Sequence, residues 1–84
     1  MKFNLFMYCT TGRRNELEAG LAGLNNDYYQ RMLAEIADIA QYADRHGWHG
    51  LGHPEHHLQI EGFEASNDLG LMASWIANAT ERLR

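Results

Sequence analysis

Between Asn26 and Gly47 runs the stretch whose periodicity admits the fewest structures. Tyr29, Met32, Leu33, Ile36, Ala40 and Ala43 recur at three- and four-residue spacing, which places them on one face of a helix. The spacing predicts a helix from about Asp27 to Arg45, with Asn26 as its N-cap. Gly47 supplies the stop, because glycine accepts the left-handed conformation at a helix end. A helix of this length between two short apolar runs is the connection that parallel strands require, since a hairpin cannot join them. The chain therefore reads as α/β with parallel strands.

The flanking runs differ in quality. Lys2 to Cys9 reads as a strand, with Phe3, Leu5, Met7 and Cys9 on one face and Phe6 and Tyr8 on the other. Apolar residues on both faces suit a parallel sheet covered on both sides. Trp48 to His53 is expected to be a second, weaker strand, because Gly50 and Gly52 offer no side chains to pack. Residues 10 to 25 carry three glycines and no sustained period, and are expected to form a long loop. A second loop spans Leu58 to Asn67. Asn67 or Asp68 then caps a helix reaching about Arg82, with Leu71, Met72, Trp75, Ile76 and Ala79 on its buried face. Leu83-Arg84 would open the next element. The order is strand, helix, strand, helix, and 84 residues hold one domain at most.

Composition narrows the function classes. Seven Lys and Arg stand against eleven Asp and Glu, for a formal charge of −4, so there is no electrostatic reason to bind nucleic acid or anionic lipid. Arg13-Arg14 is an isolated basic pair and reads as a solvated loop. No apolar run approaches the roughly 20 residues of a membrane span. The N-terminus is apolar for too few residues to be a secretory signal, and a single cysteine cannot form an internal disulfide, so a cytoplasmic location is the expectation.

The chemistry-bearing cluster is Pro54-Glu55-His56-His57, just beyond the second expected strand. The carboxyl ends of strands are where α/β folds keep their sites, and an imidazole exchanges protons near neutral pH. If the extended conformation persists that far, His56 faces away from Glu55 and His57. Metal binding is the rival use, with His46, His49 and His53 nearby. In an extended segment, however, His53, Glu55 and His57 share a face that His56 does not, and no His-Glu-x-x-His signature is present, so no metal site is assigned. Cys9 ends the first strand and is read as pocket lining, not as a nucleophile; a small buried hydrophobe is the commoner role of such a cysteine.

Three segments in order, Tyr42-Ala43-Asp44-Arg45-His46-Gly47-Trp48, Pro54-Glu55-His56-His57 and Glu61-Gly62-Phe63-Glu64-Ala65-Ser66, resemble the opening of the bacterial luciferase-like, flavin-dependent monooxygenases. The ending Ala77-Asn78-Ala79-Thr80-Glu81-Arg82-Leu83-Arg84 is similar to the family's second helix running into its third strand. The resemblance covers essentially the whole chain. It implies that residues 1–84 are the βαβα opening segment of a (β/α)₈ TIM barrel, a fold that takes roughly 250 residues. Two positions depart from the family pattern: Gly52, usually bulky, and His53, usually apolar.

By that resemblance the cofactor is reduced FMN, the co-substrate O₂, and the substrate a small organic molecule. A partner flavin reductase is implied in addition. The resemblance carries the catalytic role onto His56, with His57 lining the same pocket and Glu55 orienting the pair. The flavin phosphate site is expected outside these residues, since no Gly-x-Gly-x-x-Gly follows a strand here. The alternative is a non-catalytic interaction module that hides its open strand edges by forming a homo-oligomer.

Overall fold

The computed structural model describes residues Met1–Arg84. Its elements are β1 (Asn4–Phe6), α1 (Arg14–Glu18), a 3₁₀ turn at Ala22–Leu24, α2 (Asn26–Arg45), β2 (Gly50–Gly52) and α3 (Leu69–Ala79). β1 and β2 pair in parallel, with Asn4 opposite Gly50, Leu5 opposite Leu51 and Phe6 opposite Gly52. The chain is a small α/β unit, as its periodicity requires. No helix is long and apolar enough to cross a membrane.

α2 follows its sequence pattern closely. Met32, Ile36, Ala40 and Ala43 are buried along its inner face. The cap lies one residue earlier than expected: Asn25 Oδ1 accepts the Tyr28 N–H at 3.1 Å. Truncating Ile36 to Ala would cost about 2–5 kcal/mol, the usual result of emptying a packed aliphatic site. α3 is capped by Asp68, whose Oδ1 accepts the Leu71 N–H at 2.8 Å. It is shorter than its periodicity suggests and buries only Met72 and Ile76.

Both helices cover the same face of the sheet. Cys9, Met32, Ile36, Ala40, Met72 and Ile76 form one core, with Met7 and Leu51 packed against it. The opposite face is open, where the sequence led us to expect cover: Phe6 is 61% and Tyr8 54% exposed. Two consecutive crossovers on one side leave nothing within the chain to cover the other side.

Both strands are shorter than the apolar runs that carry them. β2 ends at Gly52, so alternation does not govern the Glu55-His56-His57 segment. Gly50 permits close approach, because a Cβ there would lie 2.8 Å from both the Arg84 carbonyl and Asn4 Oδ1. At Gly52 the Phe6 ring takes the space, with Cδ2 3.3 Å from where a Cβ would stand.

Arg84 adds to the sheet. Its N–H donates to the His49 carbonyl at 3.1 Å, and its carbonyl accepts the Leu51 N–H at 2.8 Å. These two bonds are the pattern of a parallel pairing centred on Gly50, on the edge of β2 away from β1.

The expected loop over residues 10 to 25 is structured. The Arg13 N–H donates to Glu16 Oε2 at 2.7 Å and closes the first turn of α1. Glu16 in turn accepts from Arg31 of α2, with Nη1 to Oε1 at 3.0 Å, and this ties α1 down. The 3₁₀ turn packs on the second loop, with the Gly23 N–H donating to the Ile60 carbonyl at 2.9 Å. Gly62 sits at φ +88°, and a Cβ there would press on Gly23 N at 2.7 Å. Local period could not show this order, since it depends on contacts between two loops.

Candidate functional site

The site is built by the segment that follows β2. The His56 N–H donates to the Ser66 carbonyl at 2.8 Å, and the Ala65 N–H donates to the Cys9 carbonyl at 2.8 Å. The Thr11 N–H reaches the Gly62 carbonyl, also at 2.8 Å. Residues 62–66 are thus laced to the continuation of β1 and to His56. The result sits at the carboxyl ends of both strands, where α/β folds expose polar groups without disturbing the core.

His56 lines a cleft of about 260 Å³ together with Tyr29, Gln59, Glu64 and Asn67. Its Nε2 is in direct contact with Glu64 Oε2; the His56 side chain is 41% exposed and that of Glu64 only 7%. Glu64 Oε2 nevertheless has no partner in hydrogen-bonding geometry. On the other side of the ring, Gln59 Nε2 donates to His56 Nδ1 at 3.0 Å. An amide nitrogen can only donate, so Nδ1 accepts and the proton of the neutral imidazole sits on Nε2, toward Glu64. Both ring nitrogens are therefore oriented by named partners.

The other expected site residues lie elsewhere. His57 Nε2 stands 3.5 Å from Glu55 Oε2 at the surface. Glu55 Oε1 accepts the Leu69 N–H at 3.1 Å and so closes the amino end of α3. Neither residue borders the His56 cleft. Cys9 has no exposed surface and packs among the α2 and α3 side chains of the core. Burial pushes its thiol pKa up, the neighbouring Ser66 hydroxyl pulls it back, and the Glu64 charge raises it further. A thiol held neutral and out of reach packs as a small hydrophobe.

Of the remaining histidines, His53 Nδ1 lies 3.3 Å from Ser66 Oγ. His46 stacks on Tyr42 at 4.0 Å between centroids and bonds the Tyr42 carbonyl, far along the chain from His56. No three His, Cys, Asp or Glu side chains converge in a way that could hold a metal ion.

Glu64 and Gln59 are the partners that sequence reasoning missed as site residues. Gln59, three positions after His56, had a weak local signal. Glu64 had only its place in the Glu61–Ser66 segment, because the fold that buries it against His56 is set by the contacts of residues 62–66 with Cys9 and Thr11. Comparison with protein-family models, with curated proteins and with solved structures gives no match.

Proposed function

We propose that this chain carries the first two strand–helix units of a luciferase-like, flavin-dependent oxidoreductase that uses O₂ on a small organic substrate, with His56 managing the proton. The observation that carries the reading is the His56–Glu64 pair in a cleft at the carboxyl end of the parallel strands. The order of the motifs that resemble that family supports it from the sequence side.

Reduced FMN, when bound, supplies the electrons and the reaction with oxygen. Aromatic residues outside the lining of the His56 cleft suit the ring end of such a group. Phe6, Tyr8 and Phe63 form a continuous exposed aromatic surface, with Phe6 and Tyr8 edge-on at 5.7 Å and Tyr8 and Phe63 at 5.9 Å. Aromatic faces of this kind pack flat conjugated rings and keep water from them. No Lys or Arg lines the His56 cleft, so a phosphate is not held there. His56 can hold a proton at Nε2 against Glu64 while Gln59 keeps the ring from turning. That arrangement suits a group that must accept and return a proton without leaving its place.

The test is oxygen-dependent turnover of the protein with reduced FMN, compared with His56→Ala. Loss of turnover with an unchanged circular dichroism spectrum supports the reading. Equal turnover in the two proteins would sink it.

A second reading, a non-catalytic module that self-associates, is favoured by one observation. Phe6, Tyr8 and Phe63 stand together as one exposed aromatic surface, and contiguous exposed apolar patches mark interaction sites. Sedimentation mass together with flavin titration separates the two, since a small oligomer that does not bind flavin is the module.

A further inference from the structure

We propose that the groove between α2 and α3 and the His56 cleft form one bipartite site for an uncharged ligand. A flat, fused-ring aromatic group lies in the groove and a short polar arm reaches His56. Tyr29, Leu33, Leu71, Met72 and Trp75 line the groove, which has a volume of about 250 Å³. The His56 cleft beside it has about 260 Å³. Tyr29 and Asn67 belong to both walls, so one space opens into the other at these residues. Each volume alone falls below the roughly 300–1,000 Å³ usual for a small-molecule site, and the two together fall within it.

Lining and size name the ligand. An enclosed apolar cavity of about 150 Å³ holds benzene, so a groove of about 250 Å³ takes a pair of fused rings. Tyr29 and Trp75 offer aromatic faces and edges, and the Met72 thioether suits a ring edge. Leu71 and Trp75 are 71% and 37% exposed, and a ring between them removes apolar surface from water. Neither wall holds a Lys or Arg to bind an anion. The groove's one carboxylate, Asp68, already caps α3 through Oδ1, at a helix end whose positive partial charge disfavours a cation. The ligand is therefore uncharged. Asn67 is exposed where the two walls meet, and its amide both donates and accepts, which suits a hydroxyl on the arm.

This substrate class rests on the oxidation reading only in making the end of the arm the reacting group; binding stands on the groove and cleft alone. The experiment titrates three alcohols into the isotope-labelled 84-residue protein at pH 7: naphthylpropanol (naphthalene carrying a three-carbon alcohol), naphthol and pentanol. The readouts are the indole N–H of Trp75 and the ring resonances of His56. Trp48, which packs on Phe3 at 6.3 Å between centroids, is the internal control. Naphthylpropanol is expected to move Trp75 and His56 with one dissociation constant and to leave Trp48 in place. Naphthol should move Trp75 and bind severalfold more weakly. Pentanol, which lacks the rings, should bind at least about tenfold more weakly. Leu71→Glu sets a charge at an exposed position of the wall and should weaken naphthylpropanol about tenfold. Asn67→Ala should weaken it severalfold and serves if Leu71→Glu does not fold. Different constants at Trp75 and His56, movement of only one of them, or no response would overturn the proposal, as would an unchanged constant in either folded variant. A Trp75 resonance that moves with protein concentration and not with ligand would mean that a second copy covers the groove, and would overturn it too. Flavin-dependent turnover is read separately. Its absence with binding intact counts against the oxidation reading alone, and turnover without the shared constant counts against this proposal alone.

Discussion

Asp44 Oδ1 accepts the backbone N–H of Leu83 at 2.8 Å, across 39 positions of the chain. The same carboxylate accepts from the N–H of Arg82 at 2.9 Å and of Glu81 at 3.0 Å. Asp44 lies in the last turn of α2, so one side chain fixes where the chain turns after α3 and delivers Arg84 to the edge of β2. The backbone N–H groups of Glu81, Arg82 and Leu83, with the Arg82 charge, hold the Asp44 pKa below its ordinary value against the opposing effect of burial. A depressed carboxylate pKa stabilises the fold above the ordinary value of 3.8 and stops doing so as pH falls through the folded value. Asp44→Asn should therefore lower the thermal midpoint at pH 7, with the difference from the parent shrinking only below about pH 4. Equal midpoints at neutral pH would contradict this role.

Glu16 gives a second acid-sensitive contact. Its pKa is lowered to about 2, first by the Arg31 guanidinium and then by the Arg13 N–H. The tie between α1 and α2 is thus complete above pH 4.5 and lost as pH falls toward 2. Arg31→Met should flatten this limb of the stability curve and leave helix content nearly unchanged. A parent-like acid limb in the variant, followed by thermal melts between pH 2 and 6, would count against the pair.

His56 and Glu64 should separate in kinetics. On the flavin-dependent reading, His56→Ala is expected to lower kcat with reduced FMN and O₂ by about 10²- to 10⁴-fold, the usual worth of a positioned proton-transfer group. Glu64→Gln keeps the shape and removes the charge, so it should displace the pH profile of kcat and reduce its height less. Superimposable pH profiles for Glu64→Gln and the parent would remove Glu64 from the proton path.

The two strand glycines should differ although they are two residues apart. Gly50→Ala places a methyl against backbone at 2.8 Å and should cost about 1–3 kcal/mol, as overpacking does. Gly52→Ala meets the Phe6 ring at 3.3 Å, a side chain with room to turn toward solvent, and should cost less than about 1 kcal/mol. Urea midpoints check the order, and the reverse order would mean that the register of β1 and β2 differs from Asn4 opposite Gly50.

Cys9 should resist alkylation. It is fully buried and its thiol is held neutral by desolvation, so iodoacetamide at pH 8 should react only as fast as the protein opens. Modification should accelerate by orders of magnitude in denaturant. Labelling in native buffer at the rate of a free thiol would place Cys9 on the surface.

The sequence by itself determined what depends on near neighbours. The face of α2, its stop near Gly47 and the cap at Asp68 follow from residues within a few positions, because helix period and capping are local physics. The place of His56 at the end of the second strand was legible for the same reason. Contacts between distant segments were decided only by the tertiary structure. Local rules put His56, Glu55 and His57 together, yet the chain after β2 turns away from extended geometry and brings Glu64 to His56, while the Glu55 carboxylate goes to the amino end of α3. Cys9, read as pocket lining, lies in the core because Met32, Ile36, Met72 and Ile76 close over it. The open aromatic face follows from two helices taking the same side of the sheet, and Asp44 found its partners 37 to 39 positions away. A buried carboxylate must find donors wherever the chain places them, and no local period records where that will be.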